Sequence, residues 1–344
     1  MAANSRPIRI LSIDGGGIRG IIPATVLAAL ESRAGQPICR LFDLIAGTST
    51  GGILALGLVK PAPSGEPGYS AQQLIQLYEQ DGAHIFSCPW WQRLPIISLI
   101  YSLFASRYSA THIDAVLHKY FGHSRLRDAL TPLLIMSYEL RKRDPWLFKS
   151  ERAKAEPDHD FPMREVARAT SAAPTYFPPL LLRDAPERRQ YELIDGGVYA
   201  NNPAMCAYVE AHTLFPDATD FIVVSLGTGQ TSRPIHYRSA RHWGIAGWAR
   251  PILDVVFDGV SDTVDYQMQQ LLSRASSPLS GTERGSGGED LQRHFRFQAP
   301  LAPDQGAMDD ASPGHLEQLK AVGQGIVTQH DRDLDELARR LTGR

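Results

Sequence analysis

Two glycine-punctuated stretches hold the residue types that acyl chemistry needs. The first is Gly47-Thr-Ser-Thr-Gly51, which spells G-x-S-x-G. It lies between an apolar run at 41–46 and a small, apolar run at 52–59, so the pattern predicts strand, sharp turn and helix. Ser49 stands at the apex. Gly47 and Gly51 would let the backbone turn tightly and let strand and helix pack without Cβ clashes, leaving the Ser49 hydroxyl exposed. A helix N-terminus there would favour developing negative charge. Five small residues also make an ordinary strand-to-helix turn, so this pattern by itself does not separate a nucleophile from a plain turn.

The second stretch is Asp14-Gly-Gly-Gly-Ile-Arg-Gly20. A β-prone run at 8–13 precedes it, and an unbroken apolar run from Ile21 predicts a helix after it. Gly15, Gly17 and Gly20 satisfy G-x-G-x-x-G, which makes a dinucleotide site the competing reading. That reading needs an acidic residue at the end of the second strand, whereas Asp43 lies near its beginning. A phosphate-binding Walker loop needs Lys and Ser/Thr where Ile21 and Ile22 stand. Acyl transfer uses both stretches. On neighbouring parallel strands the glycine loop and the serine turn would meet at the carboxyl edge of a sheet. The amides of Gly15, Gly16 and Gly17 are then candidate oxyanion donors, and losing one such donor typically lowers the rate about 10²–10³-fold. Arg19 would fix the loop or meet a phosphate-bearing substrate.

The elements that must position these residues follow from the rest of the chain. Its 344 residues, 43% apolar and 21% charged, give enough chain for a sizeable core. A net charge of −2 advertises no basic face for a nucleic acid polymer, while leaving room for a local basic patch. Three cysteines without metal-ligand spacing suit a reducing compartment, and the opening residues hold too short an apolar run for a signal peptide. No run reaches the roughly 18 apolar residues of a spanning helix. The expectation is a cytoplasmic protein in which any membrane contact is peripheral, with no transmembrane segment, no cofactor and no metal.

Helices are predicted at 71–86, 111–121, 163–173, 243–272 and 313–341, and strands at 133–140, 146–150, 191–194, 221–225 and 294–297. The strand at 191–194 runs into Asp195-Gly-Gly, a sequence that on local grounds reads as a turn. Leu226-Gly-Thr-Gly reads as architectural. Residues 276–290 are Ser/Gly-rich and read as mobile. Residues 88–108 form the most apolar and aromatic stretch. They read either as core or as a lipid-contacting rim carried by Trp90, Trp91 and Ile97.

With Asp14-Gly-Gly-Gly-Ile-Arg-Gly, Gly47-Thr-Ser-Thr-Gly and Asp195-Gly-Gly in this order, the sequence resembles the patatin-like phospholipases. The likeness extends to Thr170-Ser-Ala-Ala-Pro and Val224-Ser-Leu-Gly-Thr-Gly, and so covers roughly residues 8–229. It implies a three-layer α/β/α sandwich with a mostly parallel central sheet, formed as a single domain. Its motif-bearing core would span about 8–229, followed by a mostly helical extension at about 240–344. It also implies metal-independent hydrolysis of fatty-acyl esters in phospholipids or related lipids. Ser49 would be the nucleophile, Asp195 the general base of a two-residue dyad, and Gly15 to Gly17 the oxyanion hole, with Gly196 and Gly197 shaping the aspartate turn. None of the eleven histidines is marked out by its neighbours as a third member. Two other readings stay open: a phospholipase of this fold switched on by a cyclic nucleotide, and a catalytically silent nucleotide-binding or scaffold protein.

Overall fold

The computed structural model describes residues 6–87, 106–184, 189–231, 234–248, 251–274 and 293–343. Its centre is an eight-stranded sheet ordered β5-β6-β3-β2-β1-β7-β9, with β4 paired to β3; the two-residue β8 (Gln230–Thr231) lies outside it and pairs with Pro300–Leu301. β1 (Ile8–Ile13) lies between β2 (Leu44–Thr48) and β7 (Phe221–Leu226), parallel to both, with Ile10 opposite Leu44 and Val223. β3 (Leu133–Glu139) continues the parallel set beyond β2, and β9 (His294–Phe297) continues it beyond β7. Side-chain alternation sends Leu11, Ile13, Ile45, Ile135 and Val224 into one apolar cluster and Ile10, Leu44, Ala46, Met136 and Val223 into another. Helices Thr50–Val59 and Met163–Thr170 cover the first face, while Ala204–Leu214 and Pro251–Arg274 cover the second. The result is helix, sheet, helix. Burial on both faces is why these strands read as continuous apolar runs instead of alternating ones.

One junction departs from parallel order and sets up the site. β4 (Asp144–Lys149) runs antiparallel along one edge of β3 from Leu134 to Glu139. The other edge is shared: β2 occupies it as far as Met136, and β6 (Gln190–Asp195) takes it from Ser137 to Glu139 in the antiparallel sense. Thr48 is level with Met136 and Asp195 with Ser137, so β2 and β6 point their carboxyl ends at each other along one edge. β5 (Leu180–Arg183) closes this end of the sheet antiparallel to β6.

Several boundaries differ from the sequence expectation. The second strand begins at Leu44 rather than 41, because Pro37 opens a helical turn, Ile38–Leu41. The helix expected at 71–86 starts at a Ser70/Gln73 capping box and passes through a π turn, Leu77–Asp81, before Gly82–Ile85. Where one helix is expected at 243–272, the described residues form the short helical turns Tyr237–Ala240 and Ile245–Trp248 and the helix Pro251–Arg274. The helix expected at 313–341 is two helices, Pro313–Gln329 and Asp331–Thr342, separated at His330. Gly323 lets the first of them cross helix Ile21–Ala34 closely, for a Cβ there would lie 2.8 Å from Thr25 Cβ. Residues 276–290 lie outside the described residues.

Candidate active site

Ser49 occupies a strained turn. Its backbone takes φ 55° and ψ −124°, a region that side-chain-bearing residues rarely adopt and that costs about 1–3 kcal/mol. The flanking contacts force this geometry. A Cβ on Gly47 would lie 2.3 Å from the Gly51 carbonyl oxygen, and one on Gly51 would lie 2.2 Å from that of Ile13. The Ser49 amide donates to Thr170 Oγ1 at 2.9 Å, and the Thr170 hydroxyl donates onward to the Met136 carbonyl at 2.6 Å. Helix Thr50–Val59 starts immediately behind Ser49, so its amino end faces the hydroxyl.

Asp195 ends β6 directly across the junction. Only 2% of it is exposed, it lines the same cavity as Ser49, and the Gly197 amide donates to Oδ1 at 2.8 Å. Burial pushes the carboxyl up to about 7, against the lowering influence of the Ser49 hydroxyl and the Gly197 amide. Gly196 permits the approach, because a Cβ there would lie 2.5 Å from Met136 atoms.

The glycine loop forms the third side. Gly15 donates its amide to the Asn201 carbonyl at 3.0 Å, so of the three expected oxyanion donors it is the one already engaged. Gly16 and Gly17 line the cavity over Ser49, and their amides have no acceptor among the described residues. Gly17 has φ 60° and sits where a Cβ would meet the Met308 carbonyl at 2.2 Å. Buried Arg19 donates to the Gly16 carbonyl at 3.3 Å and the Gly229 carbonyl at 3.5 Å, the loop-fixing one of its two expected roles. Thr228 Oγ1 donates to the Gly15 carbonyl at 2.6 Å, which gives the Leu226-Gly-Thr-Gly turn its architectural part. Asp14 at the head of the loop is held by Arg296 of β9 at 2.6 Å. Asp43 lies at the opposite edge of the sheet. Burial works against its charge, but hydrogen bonds from Arg6 and Arg9 outweigh that and hold it down at about 2.

The family model for patatin-like phospholipases matches residues 11–208, from β1 through the aspartate turn. The chain belongs to the patatin-like phospholipase family. Patatin-like protein 1 of Oryza sativa subsp. indica is 36% identical, covering 95% of this chain and 83% of its own. Patatin-like protein 4 of Arabidopsis thaliana is 31% identical over 95% of this chain and 86% of its own. Among solved structures, VipD from Legionella pneumophila is similar at 12% identity and a TM-score of 0.43, covering 96% of this chain and 67% of that one.

In this patatin-like chain an apolar cavity opens over Ser49, Asp195 and the two glycine amides, walled by Ile18, Ile53, Ile85, Phe177, Phe257 and Met308. No histidine lines it among the described residues. Trp90, Trp91 and Ile97, the expected lipid contacts, lie outside the described residues. Sequence reading assigned no part to Thr170, Asn201, Thr228 or Arg296, all of which hold the turns in place. Thr170 and Thr228 sit inside Thr170-Ser-Ala-Ala-Pro and Leu226-Gly-Thr-Gly, so the sequence does carry a signal for them. Arg296 stands in a short strand distant in sequence, with no local signal. No helix among the described residues is long and apolar enough to cross a membrane.

Proposed function

We propose that this patatin-like protein is a serine acyl hydrolase that cleaves fatty-acyl esters of phospholipids or related lipids through a Ser49–Asp195 dyad. The observation that supports this reading is the end-to-end meeting of β2 and β6, with the strained Ser49 and the buried Asp195 lining one cavity. Ser49 Oγ attacks the ester carbonyl and its proton passes to Asp195. The oxyanion that forms accepts from the Gly16 and Gly17 amides, and collapse expels the alcohol, which takes the proton from Asp195. Water, deprotonated by the same carboxylate, then cleaves the acyl-enzyme. An ordinary aspartate is too weak a base for this work, and a buried one poised at about 7 is far better matched. The apolar cavity supplies room for the acyl chain, each methylene of which contributes about 0.8 kcal/mol on leaving water.

The reaction as written needs no metal. Mixed phospholipid incubated with the protein should release fatty acids and lysolipids, detected by mass spectrometry, and EDTA should leave the rate unchanged. Loss of activity in EDTA with restoration by calcium would overturn the metal-free dyad. The base must be ionised, so kcat/KM should fall about tenfold per pH unit below about 7 and level off above it.

A further inference from the structure

Between Asp220 and Asp254 the chain has no carboxylate but four arginines, Arg233, Arg238, Arg241 and Arg250. On a chain of net charge −2 this is a local basic stretch. It is aromatic as well, with Tyr237, Trp243 and Trp248. Its described part stands at the surface: Tyr237 is 77% exposed, Ile235 40%, and the neighbouring Ile252 and Val255 of the next helix 42% and 44%. Arg238 and Arg241 are exposed one helical turn apart. Singly exposed apolar residues are ordinary, but here Ile235 and Val255 line one cavity, and exposed Tyr237 and Ile252 stand two and three residues from them in sequence.

This surface has a definite place. Ile235, Trp243 and Val255 border a second cavity, which Phe257 and Met308 divide from the cavity over Ser49, both residues lining both spaces. Asp254 and Asp258 also border it, alongside Arg19. Exposed aliphatic and aromatic side chains with arginines among them match the interface of an anionic bilayer, where apolar groups enter the acyl boundary and guanidinium groups meet lipid phosphates.

We propose that the surface formed by residues 234–248 and 251–255 is a docking surface for an anionic membrane, seating the protein on lipid beside the wall of the Ser49 cavity. This deepens the acyl hydrolase reading and rests on it for the meaning of the docking, but not for the docking itself. The test uses Ser49→Ala protein, so that the vesicles stay intact, sedimented with phosphatidylcholine vesicles containing one third phosphatidylglycerol or none. Binding should favour the anionic vesicles and weaken at high salt. Adding Arg238→Glu and Arg241→Glu together should reduce it at least tenfold, and Tyr237→Ala should reduce it severalfold. With Ser49 intact, the same surface variants should hydrolyse a short soluble ester at the unaltered rate, which also shows that they fold.

Equal binding by the Arg238→Glu, Arg241→Glu protein, or no preference for anionic vesicles, would overturn the proposal. A Tyr237→Ala change that turns a dimer into a monomer in size-exclusion chromatography, with vesicle binding unaltered, would overturn it in favour of self-association. Arginine-dependent docking by a protein that cleaves no ester would support the docking surface and sink the Ser49 assignment.

Discussion

The two strand ends that meet in the candidate site are prepared in opposite ways. At the end of β2 the backbone is strained and the side chain open: Ser49 takes a positive φ between glycines that admit no Cβ. At the end of β6 the backbone is ordinary and the side chain is costly, since Asp195 is buried and, among the described residues, its carboxylate takes a hydrogen bond from the Gly197 amide. One residue is made ready by geometry, the other by desolvation. The strain and the buried charge both lower stability, and both are sited where a catalytic unit would need them.

The comparison is broken most directly at the two residues themselves. Ser49→Ala should lower ester hydrolysis at least about 10³-fold with the fold intact, since it removes one oxygen at a turn and opens no core cavity. Asp195→Asn should approach the same loss, because members of a catalytic unit fail together. A fluorophosphonate should label the wild type and leave Ser49→Ala unlabelled. A single histidine substitution that matched Ser49→Ala while the protein stayed folded would replace the dyad with a triad.

Gly17→Ala should come next, at about 10²-fold in kcat. The change forces a Cβ into a left-handed conformation and against the Met308 carbonyl, so the loop must shift and carry its amide with it. The expected signature is a fall in kcat with little change in KM, along with a lower melting temperature. An unaltered kcat would remove Gly17 from the oxyanion site.

How much of this could be read from the chain divides along the same line. The Ser49 turn and the glycine loop were legible because their causes are local: glycines within two residues of the apex, apolar runs before and after. Asp195 was a turn residue on its own evidence and acquired a role only through a resemblance to a family. What brings it to Ser49 is the three-residue overhang of β3 beyond β2, on which β6 docks antiparallel. No periodicity in 190–195 encodes that direction. Arg296 was hidden for a related reason, as it reaches Asp14 across 282 positions of sequence. The helix break at His330 has no sequence signal because apolar spacing continues through it while the backbone does not.

A smaller effect should follow from Thr170→Val, which nearly preserves volume but takes away the acceptor of the Ser49 amide and the donor to Met136. A buried amide without a partner costs about 1–3 kcal/mol. The strained turn should relax, with roughly a tenfold lower kcat and a reduced melting temperature. If both stay at the wild-type level, Thr170 is not what holds the turn, and the glycine contacts alone account for the Ser49 geometry.

The desolvated half of the comparison has its own signature, visible without any substrate. Asp195 is raised to about 7 in the folded protein, against about 3.9 for an unfolded aspartate, so folding favours its protonated form. Its contribution to stability is complete below about pH 4, declines as pH rises, and is gone once pH passes about 7. Three pKa units correspond to about 4 kcal/mol as an upper bound. Asn in its place resembles the protonated acid and never acquires the charge. Wild type and Asp195→Asn should therefore melt together near pH 4, and the variant should melt higher at pH 8, by several degrees, while being the inactive one. Taking the difference between the two proteins at each pH cancels every other titrating group. Should the variant melt lower than wild type by the same amount at both pH values, burial would not be what raises Asp195, and its carboxylate would be held by favourable contacts as firmly as Ser49 is held by its turn.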